Sequence, residues 1–144
     1  MMRGVVVPCG ATTLQKEGGI CMTVNEAIAR CDEMTGDGSG REAKLRWLSD
    51  IESMIYEEIV RTHEGAPDRS EWKPIAEEDG ERELFAQDPY GELYVFYLMM
   101  RFHLLLQDMS QYNNAAALFA AAYTTFADWY NRTHIPLSQG SITF

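Results

Sequence analysis

The stretch from Leu93 to Leu106 limits the possible folds more than any other feature of this sequence. If residues 90–107 form a helix, apolar side chains lie on all its sides, interrupted by Arg101 and His103. Such a helix is typical of an element that neighbouring elements cover on every side. The stretch is too short and too interrupted for a membrane span, which needs roughly 20 apolar residues. We therefore expect a central helix surrounded by other helices.

Two amphipathic helices are predicted before this central helix. Residues 24–34 follow a capping box formed by Thr23 and Glu26, which is typical of a helix start. Residues 41–63 place an apolar stripe along one side, and that side is expected to be buried. The other side is expected to face solvent, and it carries Glu42, Lys44, Glu52, Glu57, Glu58 and Arg61.

A long segment without periodicity separates this pair of helices from the next pair. Residues 64–89 are rich in charge and are interrupted by Gly and Pro, which predicts a loop too long to be a simple connector. After the central helix, residues 110–134 regain amphipathic spacing and form the last predicted helix. The predicted fold class is therefore all-α, a four-helix bundle-like domain with a long irregular loop between helices two and three.

Length and composition favour a single folded domain and exclude some functions. The chain has 144 residues, 46% of them hydrophobic, which is more than a disordered chain carries. Its net charge of −10 would repel a phosphate backbone, so general or sequence-specific nucleic-acid binding is not expected.

The first residues suggest that the biological start lies at Met22. Residues 1–21 have neither helical periodicity nor the pattern of a signal peptide. Glu17-Gly18-Gly19 can be encoded by a purine-rich sequence like a bacterial ribosome-binding site, a short distance before Met22. We expect residues 1–21 to be a leader, with a flexible N-terminal arm as the alternative. Residues 22–136 then form the helical domain, and residues 137–144 form a C-terminal tail.

No arrangement of residues in the sequence predicts catalysis. His63, His103 and His134 lie on separate elements without metal-ligand spacing, so a metal site is not predicted. Cys31 lacks the flanks of an activated cysteine, and no disulfide framework exists, which favours a reducing compartment. The glycine-rich segment 36–40 lacks a phosphate-binding lysine and is predicted to be a turn. We expect no catalytic, cofactor-binding or metal-binding residues, and a protein that is not an enzyme.

Two surface features favour protein partners. The apolar residues are too numerous for a four-helix domain of this size to bury, so subunit contacts are expected and the chain is predicted to be an oligomer. The acidic residues between Glu77 and Glu83 are typical of a solvated loop, with a site for a basic partner as the alternative.

Several short motifs are spread over residues 22–132. They are Met22-Thr23-Val24-Asn25-Glu26-Ala27, the block from Trp47-Leu48-Ser49 to Glu58-Ile59, Asp88-Pro89-Tyr90-Gly91-Glu92-Leu93-Tyr94-Val95-Phe96-Tyr97-Leu98, Tyr112-Asn113-Asn114, then Phe119, Tyr123 and Phe126, and Tyr130-Asn131-Arg132. Together these motifs resemble small helical proteins from the structural-gene clusters of phages and prophages of Gram-positive hosts. The resemblance implies a head-completion or head–tail connector protein that forms a homo-oligomeric ring between portal and tail. It also implies portal and tail-side phage proteins as partners, no covalent chemistry, and a location in the host bacterial cytoplasm during assembly and then in the virion.

The loop and the tail are the segments expected to reach those partners. The predicted contact residues are Trp72, Ile75, Leu84, Phe85, Ile142 and Phe144. The alternative function is that of a cytoplasmic helical module that sequesters a basic protein through the acidic loop around Glu77, Glu78, Glu81 and Glu83.

Overall fold

The computed structural model describes residues 22–137, and this part of the chain folds into four α-helices. They are α1 (Val24–Thr35), α2 (Arg41–Glu58), α3 (Glu92–Leu105) and α4 (Met109–Thr133), with short 3-10 turns at Val60–Thr62 and Glu77–Asp79. Within this range β structure is limited to two isolated bridges. The all-α prediction is confirmed, as is the long irregular connection between α2 and α3. The predictions about residues 1–21 and about the tail, with Ile142 and Phe144, lie outside the described residues.

Helix α1 begins and ends as its sequence predicts. The Thr23 side chain accepts a hydrogen bond from the Glu26 N–H at 3.1 Å, which satisfies one free amide of the first turn. The helix ends at Gly36, whose φ of 74° is left-handed and whose N–H donates to the Asp32 carbonyl. The predicted apolar face is buried, with Val24, Ala27, Ile28 and Cys31 almost inaccessible.

The turn between α1 and α2 is closed by a buried lysine, and the prediction that Lys44 faces solvent is wrong. Its side chain is 2% exposed. The ammonium group donates to the Asp32 carboxylate and, at 2.9 Å, to the Asp37 carbonyl. Asp32 lies in α1 and Asp37 in the glycine-rich turn, so the Lys44 ammonium, in the first turn of α2, links all three segments.

Helix α2 is shorter than predicted, and the side chains that follow it bond to the carbonyl of its C-cap residue, Ile59. The predicted end was His63, but α-helical bonding ends at Glu58 and a 3-10 turn follows. The Ile59 carbonyl accepts from the Thr62 hydroxyl at 2.8 Å and lies 2.7 Å from His63 Nδ1. In a continued helix this carbonyl would accept the backbone N–H of His63.

Helix α3 lies in the middle of the domain and contacts the other three helices. Its first two turns are covered, with Leu93, Tyr94, Val95, Tyr97 and Leu98 buried. The prediction that neighbours cover the whole helix is wrong for its last turn, where Leu104, Leu105 and Leu106 are 45%, 67% and 58% exposed. The difference arises because α3 continues past the layer of core residues to reach the turn into α4.

Candidate functional site

The long loop lies along one polar face of α2 and is held there by three hydrogen bonds. The helix contributes side chains spaced at i, i+3 and i+7, which places them on one side. The bonds are Ile75 N–H to Ser49 Oγ (3.1 Å), Phe85 N–H to Glu52 Oε2 (2.7 Å) and Tyr56 Oη–H to the Pro67 carbonyl (2.7 Å). Of the three side chains, only Glu52 belongs to the side of α2 that is expected to face solvent, and together the three hold the loop in place.

Glu52 is the most deeply buried acidic residue in this arrangement, and the prediction that it faces solvent is wrong. Its residue surface is 1% exposed. The Tyr94 hydroxyl donates to Oε1 at 2.5 Å, and the same hydroxyl accepts the Ala86 N–H at 2.9 Å. One carboxylate and one phenol therefore join α2, α3 and the end of the loop.

Burial dominates the electrostatics of this pair. It raises the pKa of the Glu52 carboxyl to about 7, although the hydrogen bonds from Tyr94 and Phe85 and the charge of Arg82 lower that pKa in part. The pKa of Tyr94 lies well above its ordinary value, because of burial and because of the neighbouring Glu52 charge. The carboxyl therefore titrates near neutral pH while the phenol stays protonated.

Aromatic rings fill the space between α2 and the loop. Tyr56 stacks against Trp72, with ring centroids 5.8 Å apart, and against Phe85, at 6.1 Å. The Arg82 guanidinium lies 5.7 Å from the Trp72 ring, within the range of a cation–π contact. These contacts explain how a segment without regular secondary structure keeps a fixed path.

A cleft of about 550 Å³ opens between the loop and α2, next to Glu52 and Trp72. The loop residues Glu77, Glu78, Glu81 and Glu83 are all exposed, and Glu78 and Glu83 line the cleft. Lys73 and Arg82 also line it, and Glu77 lies 3.5 Å from Arg41, so the acidic surface is partly neutralised by the chain's own cations.

A second candidate surface is the apolar turn between α3 and α4, which we call the apex. It consists of Leu104, Leu105, Leu106 and Met109, each of which is at least 45% exposed. Beside it, His103 Nδ1 is buried and has no hydrogen-bond partner within the described part of the chain. Neighbouring large apolar side chains that are exposed together are typical of a protein-contact surface.

A third surface is the outer face of α4. Residues 109–127 contain no charged side chain, although 24% of the whole chain is charged. Two hollows flank the exposed Leu118, one of about 570 Å³ on the side of Gln111 and Asn114 and one of about 270 Å³ on the side of Ala121 and Thr125. A helix face that meets only water normally carries charge, so this face is also a candidate contact surface.

Three residues with acid–base or nucleophilic side chains, His63, His134 and Cys31, occupy structural positions. His63 is buried between the Ile59 carbonyl and Asn131 Oδ1, and His134 stacks on Tyr130 with ring centroids 3.7 Å apart. Burial raises the pKa of the Cys31 thiol to about 11, which leaves little reactive thiolate at neutral pH. Among residues 22–137 no group of three or more His, Cys, Asp or Glu side chains could hold a metal ion.

The four described loop residues predicted to contact a partner lie mainly against this chain itself. Ile75 and Leu84 are 8% and 3% exposed and belong to the core, while Trp72 and Phe85 are half-buried around Tyr56. Contact with a partner through these residues stays a prediction, and Ile75 and Leu84 offer almost no surface for it in this conformation. The apolar character of these residues indicates that they are buried. The sequence alone does not show whether they are buried against the chain's own core or against a partner.

The apex and the polar face of α2 were missed as sites by the sequence reasoning. The run Leu104-Leu105-Leu106 contributed only to the general expectation of subunit contacts. The i, i+3, i+7 spacing of Ser49, Glu52 and Tyr56 could have predicted a polar docking face on α2.

No protein-family model, curated protein sequence or solved structure matches this chain. Among the described helices, none is long and apolar enough to cross a membrane.

Proposed function

We propose that this chain is a phage head–tail connector subunit, a non-enzymatic protein that assembles as a ring between the portal and the tail. Two lines support the proposal: the resemblance of the motifs around Asp88–Leu98 and Tyr130–Arg132 to such proteins, and the exposed apex. The all-α fold is compatible with it. The subunit would assemble in the host bacterial cytoplasm and remain in the virion.

The apex is the single observation that carries the proposal. Leu105 and Leu106 are more than half exposed, although most large apolar side chains of α1, α2 and the first half of α3 are buried. Burying one leucine side chain contributes roughly 1.5–3 kcal/mol, so a partner that covers the apex would gain substantial binding energy. A connector subunit needs such a surface for its neighbour or for the portal.

The charge of the chain is consistent with a ring through which DNA passes. A net charge of −10 gives duplex DNA no electrostatic attraction to the subunit. A conduit that bound the phosphate backbone tightly would retard DNA, whereas an acidic one lets it slide.

The test measures the mass of the full chain by light scattering, alone and mixed with the portal protein of the same phage genome. We expect either a ring-sized species or a stable complex with the portal. A chain that forms no ring and does not bind the portal contradicts the proposal.

A second candidate function is a cytoplasmic module that sequesters a basic protein. It is favoured by the exposure of Glu77, Glu78, Glu81 and Glu83 on one loop. Reversing these four charges to Lys discriminates the two functions, because a sequestering module loses its partner while a connector still binds the portal. Binding of a polybasic peptide that the reversal abolishes would favour this second candidate.

A further inference from the structure

The cleft between the loop and α2 holds a guanidinium group of the chain itself, that of Arg82. This group lies 5.7 Å from the centre of the Trp72 ring, within the range of a cation–π contact. Its Nη1 lies 3.5 Å from the Pro74 carbonyl oxygen and 3.7 Å from Asp79 Oδ2. An aromatic ring, a carbonyl and a carboxylate are partners that suit an arginine side chain. The walls of the cleft therefore have the chemistry of a guanidinium site.

The Arg82 guanidinium is held loosely in this position. Its two polar contacts are long, whereas charge-assisted bonds from nitrogen to oxygen ordinarily measure about 2.7–2.9 Å. The Arg30 guanidinium, by comparison, contacts Glu26 at 2.8 Å and Asp88 at 3.0 Å. The Arg82 side chain is also 25% exposed, so solvent reaches it. Another cation can therefore take its place with little loss of bonding.

The carboxylates around the cleft outnumber the chain's own cations there. The acidic residues that line it are Glu52, Glu71, Glu78, Asp79 and Glu83. The basic residues that line it are Lys73 and Arg82. Glu78 and Glu83 are exposed, and neither pairs with a cation within residues 22–137. The cleft can therefore accept further positive charge.

One wall of the cleft also contains a hydrogen-bond donor without an acceptor. The indole Nε1 of Trp72 is buried and has no partner in the part of the chain that the structure describes. Buried donors are normally paired, so this one indicates an incomplete site. A peptide brings backbone carbonyls together with its side chains, and such a carbonyl can accept from this N–H.

We propose that the cleft binds an arginine side chain of a protein partner, and that the Arg82 guanidinium occupies the site until the partner displaces it. The partner's guanidinium then lies against the Trp72 ring, with Glu78 and Glu83 beside it. A backbone carbonyl of the partner accepts from the Trp72 indole. The inference is independent of the connector function, and it rests on the second candidate function only for the class of partner, a basic protein.

The first test measures the binding of a dye-labelled synthetic peptide, with two arginines separated by glycine, to the full chain by fluorescence anisotropy. Arg82→Ala removes the competing guanidinium and should lower the dissociation constant about 10-fold, because the site is then open in every molecule. The backbone bonds of Arg82 to Asp79 and Val24 do not involve its side chain, so the loop should keep its path.

The matched control for this test is Arg46→Ala. Arg46 is exposed on α2 and does not line the cleft, and its replacement changes the net charge by the same amount. It should leave the dissociation constant within about twofold of the wild-type value.

The second test neutralises the exposed carboxylates of the cleft. Glu78→Gln with Glu83→Gln should raise the dissociation constant of the arginine peptide about 10-fold. The control pair, Glu33→Gln with Asp128→Asn, removes the same charge at exposed positions that do not line the cleft. It should raise the dissociation constant by at most about threefold, through weaker long-range attraction.

The third test changes the peptide rather than the chain. The same peptide with lysine in place of arginine should bind the wild type about fivefold more weakly or worse, because an ammonium lacks the planar face that stacks on Trp72. Equal affinity for the two peptides contradicts a guanidinium site. This comparison needs no variant, so it stands even if a substitution disturbs the loop.

The remaining outcomes separate the cleft from the other functions. The inference is overturned if the arginine peptide binds neither the wild type nor Arg82→Ala, if Arg46→Ala tightens binding equally, or if both neutralised pairs weaken it equally. Circular dichroism on each variant confirms that the helices are intact. Portal binding, measured on the same samples, tests the connector function separately. Peptide binding that the four-charge reversal abolishes and Arg82→Ala leaves unchanged supports the second candidate function and overturns the role of the cleft.

Discussion

At the scale of single residues, Glu52 and Tyr94 form a buried, hydrogen-bonded pair, whereas the sequence analysis expects Glu52 to face solvent. The carboxyl is buried, and donors from Tyr94 and Phe85 satisfy its oxygens. Its pKa rises from an ordinary 4.5 to about 7 because burial outweighs those hydrogen bonds. The folded protein therefore binds a proton at this site more tightly than the unfolded chain does.

That difference predicts a pH dependence of stability with a definite sign. Glu52 is neutral in both states well below pH 4.5, and ionised in both states well above pH 7. Between these limits the free energy of unfolding that this group contributes falls as the pH rises, by up to about 3 kcal/mol. Glu52→Gln removes this dependence, so the free energy of unfolding of the wild type minus that of the variant should fall from about pH 5 to about pH 8. Urea unfolding at each pH measures it, and parallel pH profiles would contradict the prediction.

The phenol of Tyr94 is predicted to contribute more than its size suggests. Tyr94→Phe leaves the Ala86 N–H without its acceptor and the Glu52 carboxyl without one of its donors. We expect a loss of about 2–3 kcal/mol in the free energy of unfolding, measured by urea titration. Tyr97→Phe is the control, because Tyr97 is also a buried tyrosine, but its hydroxyl accepts from the partly exposed Arg101, whose lost hydrogen bond water can replace. If the two variants lose the same free energy of unfolding, the prediction that the Tyr94 hydroxyl contributes more than the Tyr97 hydroxyl is contradicted.

At the scale of elements, four helices and one long loop could be predicted from periodicity and from the Gly and Pro residues. The N-cap at Thr23 and the turn at Gly36 follow from local chemistry, which the sequence displays directly. The burial of Lys44 and Glu52 was not predicted, because long charged residues ordinarily face solvent, although the two residues lie four positions before and after Leu48, on the same side of α2 as its buried apolar residues. Their burial depends on oxygens and amides that the turn and the loop bring from elsewhere, and periodicity within one helix contains no information about those partners.

The glycine-rich turn supplies a prediction at this scale. Gly36 has a φ of 74°, and a Cβ added there would meet no heavy atom within 4 Å, so an alanine is strained by backbone conformation alone. Gly36→Ala should lower the free energy of unfolding by about 1 kcal/mol. Gly38→Ala is the matched control: its Cβ would lie 3.7 Å from Asp32 Oδ2, an ordinary contact, and the change should stay within about 0.5 kcal/mol. Thermal and urea unfolding compare the two, and equal effects would contradict the assignment of Gly36 as the helix-ending residue.

At the scale of the whole molecule, most apolar residues among residues 22–137 lie in the core, and most of the large exposed ones lie at the apex or on the outer face of α4. The apex and the outer face of α4 lie at different places on the α3–α4 pair, so a single chain can offer them to different partners. The sequence predicted an excess of apolar residues. It did not predict where that excess lies, because location depends on how far α3 extends past the core and on which side of α4 the other helices leave open.

Substitutions at the apex are predicted to affect partner binding without affecting the stability of the fold. Replacing Leu105 and Leu106 with Ser should leave the free energy of unfolding within about 0.5 kcal/mol, since both side chains are mostly exposed. Under the connector function that we propose, the same double variant should lose portal binding in a pull-down with purified components. Met34→Ser is the control, because Met34 is 63% exposed on α1, away from the apex. Portal binding that survives the double variant would exclude the apex as the contact surface.

The attachment of the long loop has a consequence for how its amide hydrogens exchange with deuterated solvent. The N–H groups of Ile75, Phe85 and Ala86 donate to side chains of α2 and α3 rather than to other loop residues. They become free only when the loop separates from those helices, so they should exchange far more slowly than those of Glu78 or Glu83. Along residues 64–89, the amides of Ile75, Phe85 and Ala86 should therefore exchange as slowly as amides within a helix. The amides between them, such as those of Glu78 and Glu83, should exchange quickly.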